Sequence, residues 1–395
     1  MFKTISLSIA SLLCGLMLCE IALRLLGWTF PIFAQPDLDL GWSFRPRVSG
    51  WSNHENTAYV QINRFGFRGE NWPEQPASGR FRIAVIGDSF VESSGLPEDL
   101  SFTRMIEKHL GGCPALGSNR AEVLNLGVSG YGTAQQYLLL HRAIDFRPNL
   151  VLLVFYAGND IADNSRILSI ESQKERPYFI EKPTGALHLD TSFRDRDAFR
   201  QALSRDWWKR LVNASYLLQM LKQLYLGKSI SPSAKSLQAA YDGNVNEGAL
   251  FKPEHTELFS PPTDDLWRSA WSVTERLLTS MHNWTRTRNQ DFALIIIPLP
   301  VEVLPTEKQR SVAAQKFGLS DLDYPVHRIA RLAAENEIPF LNLLSPLRTF
   351  GDSRHAFLYG FPPRIGDGHF NATGAEVSGR SVASWLCDRN GKSAK

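Results

Sequence analysis

The residues best suited to chemistry in this chain are a serine, a histidine and a few small polar groups, each placed after an apolar run. The segment Ile83-Ala84-Val85-Ile86 leads straight into Gly87-Asp88-Ser89-Phe90, so Ser89 stands exposed just past a buried strand. A serine hydroxyl becomes a nucleophile only when a base takes its proton, an acceptor orients that base, and donors meet the developing oxyanion. Candidates for these tasks lie far apart in sequence: Gly127 and Gly130, Asn159, and the pair Asp367 and His369 in Gly366-Asp367-Gly368-His369-Phe370-Asn371. Gly-Asp-Ser alone has the composition of an ordinary turn. What gives it weight is where the other residues fall.

That depends on the elements that carry them. Residues 81–87, 122–126, 150–155, 291–297 and 339–342 read as short buried strands, the first three each closing on glycine. Between or after them, helical spacing runs over about 100–110, 133–146, 264–289 and 324–335, with a last helix reaching about Cys387. Strands alternating with helices predict a three-layer α/β/α domain around a five-stranded parallel, flavodoxin-like sheet over 81–390. The carboxyl ends of such strands share one rim, which would bring Ser89, Gly130 and Asn159 together, with the Asp367–His369 loop alongside.

At this point the residues resemble a known family. Gly87-Asp88-Ser89-Phe90, the glycine of Val128-Ser129-Gly130, Gly158-Asn159-Asp160 and Asp367-Gly368-His369-Phe370-Asn371 are similar to blocks I, II, III and V of the SGNH (GDSL-like) hydrolases, in the family's order. The resemblance implies Ser89 as nucleophile, His369 as base and Asp367 as its orienting acid. It also implies an oxyanion hole from the Ser89 and Gly130 backbone N–H groups and the Asn159 side chain. One departure stands out: many members space acid and base as Asp-x-x-His, whereas this chain has Asp-x-His, and Asp352 is the nearest substitute upstream. The lead-in Phe65-Gly66-Phe67-Arg68-Gly69 and an apolar amino terminus resemble bacterial envelope members, some of them similar to alginate-type O-acetyltransferases.

The resemblance implies a carboxylic-ester hydrolase that removes O-acyl groups, chiefly O-acetyl, in the cell envelope through an acyl-serine intermediate. An O-acetyltransferase acting on a polysaccharide needs the same triad and stays open. So does a non-catalytic glycan-binding scaffold. The expected partner is an acylated carbohydrate or small ester. No cofactor is expected, since no Cys/His spacing suggests zinc and no glycine pattern suggests a nucleotide. A formal charge of +3 over 395 residues gives no case for nucleic acid.

Two further segments frame this domain. Residues 1–27 are apolar from Ile5 to Leu26 apart from Glu20 and Arg24, which lie four apart and can pair on one helix face. A retained single-pass anchor in the inner membrane, with the body periplasmic or extracellular, is expected in preference to a cleaved signal. Residues 28–80 form an irregular lead-in. An insertion at about 161–262 interrupts the alternation, with a hairpin at 178–189, a helical piece near 198–226 and a polar stretch from Ser229 to Pro262. It is the candidate lid or substrate-facing subdomain, or else a surface excursion. Outside the apolar segment the cysteines are Cys113 and Cys387, either free core thiols or one disulfide in an oxidising compartment.

Overall fold

A computed structural model describes residues 2–116, 121–169, 175–227 and 250–393. The chain opens with helix α1 (Phe2–Leu25), which is long and apolar enough to cross a membrane; its apolar stretch is not buried by the rest of the protein, while its carboxyl end touches α7. The lead-in then makes two small antiparallel hairpins, β1 (Ala34–Asp37) with β2 (Gly41–Phe44) and β3 (Ser49–Asn53) with β4 (Thr57–Gln61).

The central domain begins at β5 (Phe81–Gly87). It continues through the single turn α2 (Ser89–Glu92), then α3 (Phe102–Leu110), β6 (Ala121–Gly127), α4 (Thr133–Ala143) and β7 (Leu150–Tyr156). The insertion contributes the hairpin β8 (Tyr178–Glu181) and β9 (Leu187–Asp190) and the helices α5 (Asp197–Ser204), α6 (Asp206–Ala214) and α7 (Tyr216–Tyr225). Alternation resumes with α8 (Asp265–Arg286), β10 (Asp291–Ile297), α9 (Glu307–Phe317), α10 (Tyr324–Glu335), β11 (Phe340–Asn342), α11 (Leu344–Arg354) and α12 (Ala372–Ser393). Of the polar stretch expected from Ser229 to Pro262, residues 229–249 lie outside the described residues.

The five domain strands form one parallel sheet in the order β11-β10-β7-β5-β6. This is the flavodoxin-like winding expected from the alternating pattern. The strands are near-continuous runs of buried aliphatic residues, as a sheet covered on both faces requires. The chain moves outward from β5 to β6 and then back across to β7. Right-handed crossovers therefore put α3 and α4 on opposite faces. Accordingly α3 packs with α12, while α4 packs with α8. The reversal of winding falls between the neighbours β5 and β7, and a crevice opens above their carboxyl ends.

Cys113 and Cys387 form a disulfide that joins the segment after α3 to α12, with Cα atoms 5.6 Å apart. Of the two possibilities left by the sequence, the bonded one is present. Asn371 is buried and spends its side chain locally: its Oδ1 accepts from Gly374 N at 2.9 Å and its Nδ2 donates to the Phe357 carbonyl at 2.9 Å. It opens α12 as a cap.

Candidate active site

Ser89 is the first residue of α2, directly after β5. Asp88 caps this short helix by accepting from Phe90 N at 2.9 Å, which fixes the turn and holds the serine at the rim. The turn sits very close to β6: a Cβ on Gly127 would lie 2.3 Å from Glu92 N, so only glycine lets α2 seat there. The nucleophile candidate is thus placed by packing of backbone on backbone.

His369 meets it from the loop before α12. Its Nε2 is 2.6 Å from Ser89 Oγ. The ring is held among Phe90 and its neighbours, with the Phe90 and His369 centroids 5.0 Å apart, and Phe90 in turn packs edge-on against Phe370. The other ring nitrogen, Nδ1, lies 2.9 Å from Oε1 of Glu55, whose Oε2 also accepts from the His369 backbone N–H at 3.2 Å. This is the carboxylate that fills the position expected for Asp367.

Asp367 is turned elsewhere. Its carboxylate pairs with the Arg364 guanidinium, three residues earlier, and Arg364 also lies over the Phe251 ring at 4.9 Å. Gly366 and Gly368, both at positive φ, flank Asp367 and bend the loop so that its side chain does not follow that of His369. The substitute Asp352 pairs with Arg310 at 2.8 Å. The Asp-x-His spacing therefore does not mark the partner of His369.

Glu55 arrives from outside the central domain, on the turn between β3 and β4. The hairpin tip is pinned by Asn56, whose Nδ2 donates to the Gly95 carbonyl at 3.0 Å. Gly368 makes room for the contact: a Cβ there would sit 2.5 Å from Glu55 Oε1, and its φ of +80° already favours glycine. Burial alone would raise the Glu55 carboxyl, but the hydrogen bond and charge of His369 outweigh it and hold it below its ordinary value. Burial likewise pushes the His369 imidazole down, and the Glu55 carboxylate more than compensates, leaving it above the ordinary histidine value.

The expected donors lie on the same rim. Gly130 adopts φ +78° in the turn after β6. That turn is tied down by Glu92, which accepts from Ser129 N at 2.8 Å and from the Ser129 hydroxyl. Trp42 Nε1 adds a bond to the Ser129 carbonyl at 3.2 Å. Asn159 follows β7, and its Nδ2 donates to Asp88 Oδ2 at 3.3 Å. Burial raises the Asp88 carboxyl to about 6, against the opposing pull of the Phe90 N–H. Ser89, Gly130, Asn159, His369, Glu55 and Asp367 all line one cleft of about 810 Å³.

Two buried residues without an expected role support this arrangement. Glu92 holds the Gly130 turn as described. Arg68, from the Phe-Gly-Phe-Arg-Gly lead-in, is fully buried and donates to the Glu92 carbonyl at 2.8 Å and to the Ser93 and Leu96 carbonyls. The lead-in is thus fastened to the turn that follows the serine. The apolar-arginine run hinted at this burial; nothing in the polar turn His54-Glu55-Asn56 pointed to Glu55.

Around the cleft, the insertion contributes Ala162, Asp163 and the segment Phe251–Glu254, and the lead-in contributes Phe33, Phe44 and His54. The helices α6 and α7 bond instead to α1 and to the stem at 29–32. Among the described residues no group of His, Cys, Asp and Glu is arranged to hold a metal ion.

No family model matches the chain, and no curated protein does. Similar solved structures include a GDSL-like lipase from Bacteroides thetaiotaomicron, 13% identical with a TM-score of 0.34, covering 81% of this chain and 92% of that one. The acetylxylan esterase Axe2 from Geobacillus stearothermophilus is 12% identical with a TM-score of 0.36, covering 80% and 96%. A putative acylhydrolase from Bacteroides fragilis is 12% identical with a TM-score of 0.33, covering 80% and 90%.

Proposed function

We propose that this chain is a serine-dependent esterase of the cell envelope that removes O-acyl, chiefly O-acetyl, groups from a carbohydrate. The observation that carries the reading is the unbroken chain of contacts from Ser89 Oγ through His369 to Glu55. His369 Nε2 takes the serine proton as Oγ attacks the ester carbonyl. The negative charge forms within reach of the Ser89 and Gly130 N–H groups and the Asn159 amide. His369 then hands its proton to the departing alcohol, leaving the acyl group on Ser89. Water repeats the sequence with the roles reversed, releasing the acid and restoring the serine. Glu55 keeps the imidazole oriented and stabilises its charged form. Asp367 has no part in this relay.

A body exposed to an oxidising compartment agrees with the Cys113–Cys387 disulfide and with α1 as an anchor. The breadth of the cleft favours a second outcome. Walls from the lead-in and the insertion give room for a sugar acceptor beside the acyl group, which would make the chain an O-acetyltransferase.

The deciding test is labelling with a fluorophosphonate probe together with turnover of p-nitrophenyl acetate. Ser89 is expected to be modified and the ester hydrolysed, and Ser89→Ala to lose both. Absence of labelling and of turnover in the native protein would leave a non-catalytic scaffold. Acetyl groups appearing on an added polysaccharide would select the transferase.

A further inference from the structure

Two of the three charged residues of the apolar helix α1, Glu20 and Arg24, are used by the insertion. Glu20 accepts from Ser215 Oγ at 2.8 Å, from Tyr216 N at 3.0 Å and from Leu217 N at 2.8 Å, satisfying the free N–H groups that open α7. Arg24 donates to Glu20 at 2.7 Å and to the Ala214 carbonyl at 2.7 Å, and its guanidinium lies 4.8 Å from the Tyr216 ring centroid. Just beyond α1, Thr29 and Phe30 bond to Gln219, and Ile32 exchanges two hydrogen bonds with Asn213. The elbow between α6 and α7 is therefore clasped to the end of α1 and to the stem that leaves it. A segment discarded as a cleaved signal would take with it the acceptor of the Tyr216 and Leu217 N–H groups, leaving α7 only its Ser215 cap on Leu218 N.

This same pair of helices shows an apolar outer face. On α6, Trp207, Trp208 and Leu211 are exposed, and on α7 Leu221, Leu224 and Tyr225 are, the last to 89%. The α7 residues fall at i, i+3 and i+4, one stripe, while Gln219, Met220 and Gln223 are buried on the other side. Large contiguous apolar exposure on a protein surface marks a binding surface. Tryptophan and tyrosine beside Lys209 and Arg210 are the residues that favour the headgroup region of a bilayer. Residues 206–225, which make α6 and α7, carry three Lys or Arg against one Asp, a difference of two, which suits anionic lipid.

We propose that the α6–α7 face is a membrane-surface platform that seats the body on the same bilayer that α1 crosses. It rests on α1 being a retained anchor. Direct continuity with α1 and the basic excess select the lipid surface as occupant. The platform fixes the body close to the membrane instead of letting it swing on a flexible stem. Part of the insertion is thus assigned to anchoring, while Phe251–Glu254 faces the cleft.

The test uses the full chain reconstituted in phosphatidylcholine vesicles containing phosphatidylglycerol, with lipids brominated near the carbonyl end of the acyl chain. Tryptophan fluorescence should be quenched, and Trp207→Phe with Trp208→Phe should remove a clear part of that quenching while esterase turnover is unchanged. The intact mass of the membrane-extracted protein is measured in parallel. A cleaved amino terminus overturns the anchor and the platform together. A retained terminus with the same quenching in the double variant overturns the platform alone. So does protection of the two tryptophans by a second copy, seen as a dimer in the vesicles.

Discussion

His369 can act as a base only when neutral. Because Glu55 holds its imidazole above the ordinary histidine value, kcat/KM should rise with pH through a limb lying above the usual imidazole range. Glu55→Gln removes the anion, so the limb should move to lower pH while the plateau falls by about 10²–10⁴-fold. Asp367→Asn should leave both limb and plateau nearly in place. A pH–rate profile of the two variants separates the two carboxylates, and a large loss in Asp367→Asn with none in Glu55→Gln would reverse the assignment. Asn159→Ala should lower kcat by about 10²–10³-fold, the cost of one oxyanion donor, with little change in KM. Steady-state kinetics on an activated ester measures it.

Gly368 shows how a loop and a hairpin are matched. An alanine there must hold a left-handed backbone and displace the Glu55 carboxylate. Gly368→Ala is therefore expected to cost about 1–2 kcal/mol of stability and to reproduce the kinetic defect and pH shift of Glu55→Gln. Denaturant melts and the pH profile check the two halves. The sheet and the ends that carry Ser89, Gly130 and Asn159 were legible in the sequence because each strand is a local apolar run closed by glycine. His369 was legible because it sits in a local motif before a helix. Glu55 was not, because its contact with His369 joins a three-residue polar turn to a loop 314 residues away. The family resemblance implied Asp367 instead, despite its short Asp-x-His spacing, and the carboxylate in fact pairs with Arg364 between two positive-φ glycines. The platform helices were visible only as one helical piece near 198–226, which the structure breaks into α5, α6 and α7, and their exposed faces required knowing which side packs on α1.

At the scale of the molecule, the Cys113–Cys387 bridge ties an early helix of the domain to its last one across 274 residues. Replacing both cysteines by alanine should lower stability by about 2–4 kcal/mol, while an ester assay on the folded protein should remain near the native rate. The measurement is a reversible melt under oxidising and reducing conditions, where the native protein should shift and the variant should not.

The origin of Glu55 outside the sheet has a practical consequence for anyone trimming the chain. A fragment begun at Phe81, where the sheet starts, would retain every strand of the sheet and both halves of the Ser89–His369 pair. It would still be a broken relay, its imidazole without a counter-ion. Hydrolysis restored by adding back a peptide spanning the β3–β4 hairpin would make the two pieces a split enzyme, a reporter whose signal requires that they meet.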